Sequence, residues 1–116
     1  MLVKVLHNNN CSKSRAILEY LDENGVPFEI IDMINDPLSP LELKTILKKL
    51  NQSIFSIVRT HDKLYLENYS SKQYTDEEWL DILSKNPSLI QRPIIIKGPV
   101  AMLGRPIENV KYFIDK

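Results

Sequence analysis

The sequence predicts an α/β domain with a mixed four-stranded sheet, and the two ends of the chain carry the patterns that predict it. At the N-terminal end, the β-rich apolar runs 2–6 and 28–31 are separated by a segment of helical spacing that begins at Ser12. Two strands joined by one helix form a βαβ unit, whose strands are normally parallel. At the C-terminal end, the apolar runs 93–96 and 100–103 flank a Gly-Pro turn and predict a hairpin.

Residue patterns also predict one helix near each end of the chain. One face of the first predicted helix consists of Ile17, Tyr20, Leu21 and Asn24. Gly25, with Pro27 just beyond it, predicts where that helix ends. Pro106 predicts the start of the last helix. The apolar positions of the last helix are Ile107, Val110 and Ile114.

The middle of the chain, over about residues 38–88, predicts a helical insertion within a single domain that spans residues 1–116. Ser39 and Glu42 form a capping-box pattern around Pro40, and Thr75 and Glu78 form a second one. The two helices that follow are predicted to turn Leu43, Ile46, Leu47 and Leu50, and then Trp79, Leu80, Ile82 and Leu83, towards the core. Residues 52–74 predict only short helical fragments, such as 54–59.

Composition and charge narrow the class of protein. The 116 residues are one domain's worth of chain, and 43% apolar with 26% charged residues is ordinary for a soluble globular protein. Fifteen basic and fifteen acidic side chains give a formal net charge of zero, which argues against binding nucleic acid through bulk charge. No apolar run approaches the roughly 20 residues that cross a bilayer. With one cysteine there is no intramolecular disulfide, which favours a cytoplasmic location.

Cys11 is the candidate nucleophile of the chain. It follows the first predicted strand and precedes the first predicted helix, whose free N–H groups are expected to lower the pKa of the thiol. A lone cysteine is often a buried apolar filler instead. Because no apolar residue lies within three positions before Cys11 or four after it, the sequence favours a reactive thiol.

The neighbours of Cys11 also have alternative interpretations. His7 supports a thiolate electrostatically or is a structural residue at the end of a strand. Arg15 contributes to the same site or is a solvated helix residue. The other histidine is His61, and with a single cysteine and no clustered carboxylates the sequence indicates no metal site.

Residues 7–15, HNNNCSKSR, resemble the H-N-x-x-C-x-x-S-R motif that opens the glutaredoxin-coupled arsenate reductase family. Three further matches follow in order, at Arg59, at Arg92-Pro93 and at Arg105-Pro106. The resemblance covers nearly the whole chain and is closest to the shorter members of that family. It implies a thioredoxin-like fold with an inserted helical region. Asn9 and Lys13 depart from the best-known reductases, and these changes bear on substrate identity more than on fold.

The resemblance also implies a role for each site residue. Cys11 attacks arsenic, while Arg59, Arg92 and Arg105 bind the arsenate oxyanion, a task for which the forked N–H donors of arginine are suited. The alternative for the three arginines is solvation at the surface.

Four residues are implied to support this pocket. His7, Ser14 and Arg15 lie in the cysteine motif itself. Pro93 corresponds to the cis-proline that thioredoxin-like folds place opposite the reactive cysteine, although X–Pro bonds in general are cis in only about one case in twenty.

A single thiol requires an external reductant, since no second cysteine is present to resolve the adduct. The resemblance implies glutathione as the attacking thiol and glutaredoxin as the final reductant, with arsenite as product and no bound metal or cofactor. Neither nucleic acid nor membrane is expected as a partner. The first alternative is glutathione-dependent thiol transfer, because residues 11–14 resemble the C-x-x-S of monothiol glutaredoxins. The second is a regulator that binds RNA polymerase, although Ser14 removes the C-x-x-C switch found in some of those.

Overall fold

The computed structural model describes residues 2–7, 12–104 and 107–115, with the backbone alone at residues 12–14, 107, 112, 113 and 115. The strands are β1 (Val3–His7), β2 (Phe28–Asp32), β3 (Ile94–Lys97) and β4 (Val100–Leu103). The α-helices are α1 (Ser12–Glu23), α2 (Pro40–Leu50), α3 (Lys63–Asn68), α4 (Asp76–Lys85) and α5 (Ile107–Asp115). Two 3₁₀ turns, Ile54–Ile57 and Pro87–Leu89, lie before α3 and after α4.

The four strands form one sheet in the order β2-β1-β3-β4. β1 pairs with β2 in parallel, as the βαβ pattern predicts. β3 is antiparallel both to β1 and to β4. The prediction of a mixed four-stranded sheet is therefore confirmed.

The chain divides into two compact units. The sheet unit comprises Met1–Asp36 and Arg92–Lys116, and the helical unit comprises Pro37–Gln91. The helical unit covers the range of about 38–88 in which the sequence predicts an insertion. That both units form a single domain stays a prediction.

The sheet unit packs its helices on one sheet face through aliphatic side chains. Its buried cluster consists of Val3, Val5, Ile17, Leu21, Ile95 and Val110. Because side chains alternate along a strand, Leu6 and Ile94 point to the opposite face, where both are also fully buried. Gly25 ends α1 at φ 65°, in the left-handed region that favours glycine. Asn24 is exposed rather than facing the core, because it lies just beyond the end of α1 at Glu23, where its side-chain amide donates to the carbonyl of Tyr20.

In the helical unit, both predicted capping boxes are present. The Ser39 hydroxyl accepts from the Glu42 N–H at 3.1 Å, and the Thr75 hydroxyl accepts from the Glu78 N–H at 3.1 Å. Leu47 and Ile82 are half-buried rather than core residues, because each lies at the margin of its helix's apolar stripe. The remaining side chains of the two stripes are buried: Leu43, Ile46, Leu50, Trp79, Leu80 and Leu83.

The segment between α2 and α4 holds two short helical pieces, in line with the short fragments that its sequence predicts. The example fragment 54–59 is a 3₁₀ turn over Ile54–Ile57, and the second short piece is α3, whose bounds the sequence does not predict. Asp62 caps α3 by accepting from the Leu64 N–H at 2.9 Å, yet no residue of α3 is buried. No described helix is long and apolar enough to cross a membrane.

Candidate functional site

One end of the sheet brings together residues that are distant in sequence. In β1, His7 pairs with Asp32 of β2, and Leu6 pairs with Ile94 of β3. Pro93, which precedes Ile94, therefore lies at the same end as His7. Because Ile94 also pairs with Leu103 of β4, the residue that follows Leu103 reaches this end as well.

His7 is the one polar or charged residue among the buried side chains described, with 4% of its surface exposed. Within the described residues, its Nδ1 atom is buried and has no hydrogen-bond partner. A buried ring nitrogen without a partner is costly in an apolar setting. This nitrogen is thus a candidate for contact with a bound group.

Asp32 lies beside His7 and was not singled out by the sequence. Its carboxylate accepts hydrogen bonds from the backbone N–H groups of Ile34 and Asn35, at 3.0 and 3.2 Å, and from the side-chain amide of Asn35 at 2.8 Å. The Asn35 backbone contributes most to lowering the pKa of the Asp32 carboxyl below its ordinary value. Desolvation opposes this, and the Asn35 side chain, the Ile34 N–H and His7 each lower the pKa by less.

This sheet end therefore carries a fixed negative charge opposite the imidazole. The parallel pairing of β1 with β2, which the sequence does predict, was the signal from which Asp32 could have been found.

The Arg92–Pro93 peptide bond is cis, as the resemblance implies for the proline that begins the third strand. Arg92 itself is half-buried, and its Nε atom is fully buried. Gly104 donates from its N–H to the carbonyl of Pro93 at 2.8 Å. A Cβ atom on Gly104 would lie 2.6 Å from Cδ1 of Ile17 and 2.9 Å from Cγ of Pro93, so the close approach of these segments requires glycine.

The remaining members of the predicted site in the sheet unit are described only in part. Cys11 and Arg105 lie outside the described residues, although α1 begins at Ser12 and Gly104 immediately precedes Arg105. Ser14 is in the first turn of α1, where its side chain is not described, and Arg15 is exposed. Free N–H groups at the start of such a helix favour an anion or a thiolate.

Arg59 belongs to the helical unit. Its backbone N–H donates to the carbonyl of Leu89 at 2.8 Å, and Val58 pairs with Ile90 in an isolated antiparallel bridge. The Nε atom of Arg59 is buried. Its convergence with Arg92 and Arg105 on one oxyanion stays a prediction. His61 is exposed, and the described residues contain no group of three or more side chains that could hold a metal ion.

Comparison with known proteins places this geometry in a family. The sequence model described as the ArsC family matches residues 6–113. The chain is 35% identical over 111 residues to an arsenate reductase of Neisseria meningitidis serogroup A, covering 94% of this chain and 95% of that protein. An arsenate reductase of Haemophilus influenzae is 37% identical over 112 residues, covering 95% and 97%.

Solved structures agree on the fold. An arsenate reductase from Vibrio cholerae superposes with a TM-score of 0.90 at 32% identity and covers 97% of both chains. The thioredoxin-like arrangement implied by the cysteine motif is thereby confirmed.

Proposed function

The chain belongs to the ArsC family, and from that premise we propose that it is an oxidoreductase that reduces arsenate to arsenite with Cys11 as nucleophile. The observation that carries the proposal is the meeting of motif residues at one end of the sheet. Buried His7 and the cis Arg92–Pro93 bond lie at this end. In the sequence, Cys11 follows His7 by four positions and immediately precedes α1. A thiol just before a helix start, in a unit that also holds a buried imidazole and an arginine, suits a thiolate that attacks an anion.

The proposed chemistry starts with the Cys11 thiolate, which attacks arsenic(V) and displaces one oxygen of arsenate as water. Two electrons are then needed to reach arsenic(III). One glutathione thiol attacks the adduct, and arsenite leaves while the sulfurs of Cys11 and glutathione become a mixed disulfide. A glutaredoxin thiol then reduces that disulfide and regenerates Cys11. Two external thiols are oxidised to one disulfide for each arsenate reduced, which balances the electrons.

Arginine usage supports an oxyanion as substrate. The chain has four arginines, at positions 15, 59, 92 and 105, and all four fall on the matched motifs, while its other basic residues are lysines. Arginine binds a tetrahedral oxyanion through parallel N–H donors, which lysine lacks. We assign oxyanion binding to Arg59, Arg92 and Arg105, and support of the pocket to His7, Ser14, Arg15 and Pro93.

The choice of reductant follows from the thiol count. With Cys11 as its only cysteine, the chain has no internal thiol to resolve an adduct. A small free thiol such as glutathione is the simplest resolving group, and it is abundant in the cytoplasm, where we place the protein.

The direct test is a coupled assay that follows arsenite formation with glutathione and glutaredoxin. We expect turnover by the native protein and a loss of at least about a thousandfold in Cys11→Ser, because a serine hydroxyl is barely ionised at neutral pH. Circular dichroism checks that the variant is folded. Replacing glutathione and glutaredoxin with thioredoxin and its reductase is expected to abolish turnover.

The outcomes of this assay are distinct. Turnover retained in Cys11→Ser would show that the chemistry does not use this thiol. Turnover supported by thioredoxin alone would contradict the glutathione route while leaving arsenate as substrate.

A second test asks whether the arginines bind the anion. Arsenate or phosphate is expected to slow alkylation of Cys11 in the native protein. The protection weakens by about tenfold or more in Arg92→Ala and by less in Arg92→Lys, which keeps the charge but loses the fork. The matched control is Lys63→Ala, since the Lys63 side chain is 86% exposed and is not among the residues assigned to the site.

Thiol transfer is the second candidate function, favoured by the Cys-Ser-Lys-Ser run at residues 11–14. It predicts protection by glutathione conjugates rather than by anions. Equal alkylation rates with and without millimolar arsenate, at fixed ionic strength, would reject the oxyanion site and favour this candidate.

A further inference from the structure

The helical unit contains a cavity that the thiol chemistry does not use. Its volume is ≈ 600 Å³, within the range of sites that hold small ligands. Its walls are aromatic, formed by Phe55, Tyr65, Tyr74 and Trp79. The loop between α3 and α4 and the first residue of α4 supply its polar side chains.

The aromatic walls form a corner. The rings of Tyr65 and Trp79 are nearly parallel, at 20° and with centroids 6.2 Å apart. The Phe55 ring stands at 61° to Tyr65 and at 59° to Trp79. A flat ring that stacks on one wall of this corner therefore presents its edge to the other, and both arrangements are favourable for aromatic groups. Phe55 is 48% exposed, so part of its ring is available for such contact.

The polar side chains of the cavity carry both signs of charge. The Lys72 ammonium lies 5.4 Å from the centroid of the Tyr74 ring, a cation–π contact that holds it beside the cavity. Asp76, at the start of α4, supplies a carboxylate, and Gln73 supplies an amide. Lys72 donates hydrogen bonds, Asp76 accepts them and Gln73 does both.

The opposite charges of Lys72 and Asp76 determine which ligands the cavity favours. One positive and one negative side chain favour an uncharged group that has both acceptors and donors on its edge. A strongly anionic ligand is disfavoured, because Glu77 and Glu78 follow Asp76 in the first turn of α4.

We propose that this cavity binds an uncharged planar heteroaromatic group of the nucleobase or nucleoside class. The flat ring stacks in the corner made by Phe55 and Tyr65, and Lys72 and Gln73 bond its edge. Asp76 accepts from a ring amine or from a sugar hydroxyl, a use of acidic side chains known from other nucleotide sites. This site is independent of the proposed function, because it uses none of the residues assigned to the thiol chemistry.

The single tryptophan makes the proposal directly testable, since Trp79 lines the cavity and is the only source of tryptophan emission. Adenosine is expected to change that emission saturably in the micromolar to millimolar range. Phe55→Leu keeps an apolar side chain but removes the stacking face, and it is expected to weaken adenosine binding by about tenfold. Asp76→Asn is expected to weaken it several-fold.

Two matched controls separate binding from damage to the fold. Phe28→Leu makes the same exchange in the sheet unit, and Glu77→Gln makes a comparable charge change beside Asp76 without touching the cavity lining. Both are expected to bind adenosine as the native chain does. No saturable change at millimolar adenosine, or equal affinity in Phe55→Leu, would overturn the proposal. Tighter binding of adenosine monophosphate would overturn the preference for an uncharged group, and tighter binding of N-acetyltyrosinamide would instead indicate a protein partner.

Discussion

The sheet unit and the helical unit bring their candidate residues together in different ways. In the sheet unit, His7, Asp32 and Pro93 come from separate parts of the chain and meet only because the strands pair in one register. In the helical unit, the residues around the cavity come mostly from one short stretch of chain, residues 65–79, together with Phe55. Both arrangements are tertiary, but the sheet end joins three distant parts of the chain, whereas the cavity joins one short stretch with a single residue ten positions before it.

The two units also differ in how they bury apolar surface. The sheet unit uses aliphatic residues such as Ile95 and Leu21, which are fully buried. Beside the buried stripes of α2 and α4, the helical unit has a cluster of rings around Trp79, whose outer member Phe55 is half exposed. A residue's contribution to stability therefore depends on its burial more than on its size.

Truncation of buried side chains is expected to change stability the most, and it tests whether burial decides the contribution of a residue in both units. Ile95→Ala in the sheet unit and Leu83→Ala in the helical unit, both 0% exposed, are each expected to lower the free energy of unfolding by about 2–5 kcal/mol. Phe55→Ala removes a larger but half-exposed side chain and is expected to cost less than either. Urea denaturation followed by circular dichroism measures all three, and a cost for Phe55→Ala equal to that of Ile95→Ala would contradict burial as the deciding factor.

The close packing behind the sheet end gives a smaller effect. Gly104→Ala is expected to lower the free energy of unfolding by about 1–3 kcal/mol, because its Cβ would overlap Ile17 and Pro93. Ile17→Val removes Cδ1, the atom nearest to that Cβ. We therefore expect Ile17→Val to cost less stability in the Gly104→Ala variant than it costs in the native chain.

Gly25→Ala serves as the contrasting variant. No atom lies within 4 Å of its added Cβ, and the cost of about 1 kcal/mol comes from φ 65° alone. Ile17→Val is therefore expected to add fully to Gly25→Ala. Full additivity with Gly104→Ala, measured by the same denaturation series, would show that the predicted overlap is absent.

The smallest effects concern two carboxylates, one in each unit. Hydrogen bonds from Asn35 lower the pKa of Asp32, and hydrogen bonds from Thr75 lower that of Glu78. A carboxyl whose pKa is lower in the folded state stabilises the fold above its ordinary pKa, and this contribution is lost as the pH falls through the folded value. Asp32→Asn and Glu78→Gln are therefore expected to reduce stability slightly at pH 7.

The difference from the native chain is expected to disappear once the pH falls below the folded pKa of each carboxyl. Denaturation midpoints at neutral and acidic pH measure this. A difference that stays constant with pH would mean that the substitution acts through something other than ionisation.

Local signals account for most of what could be predicted. The capping boxes at Ser39 and Thr75 and the stop at Gly25 were found from residues a few positions apart, because the hydrogen bonds that they make are themselves local. α3 was predicted only as one of the short helical fragments in residues 52–74, without bounds, because its six residues span too few turns to show a helical period. The 3₁₀ turn at Ile54–Ile57 was mistaken for part of a longer helical fragment for a similar reason, since four residues do not reveal a period.

The candidate site likewise has features that the sequence predicts and features that depend on the tertiary structure. The sequence by itself determined the cysteine motif, the order of strands and helices and the hairpin, because these depend on the type and spacing of neighbouring residues. Only the tertiary structure decided that His7 is buried beside Asp32, and that Gly104 packs against Pro93 and Ile17. It also decided that four rings and two opposite charges line one cavity. Such contacts depend on strand register and on how elements pack, and a shift of one residue in register would reverse the faces of a strand without changing any local pattern.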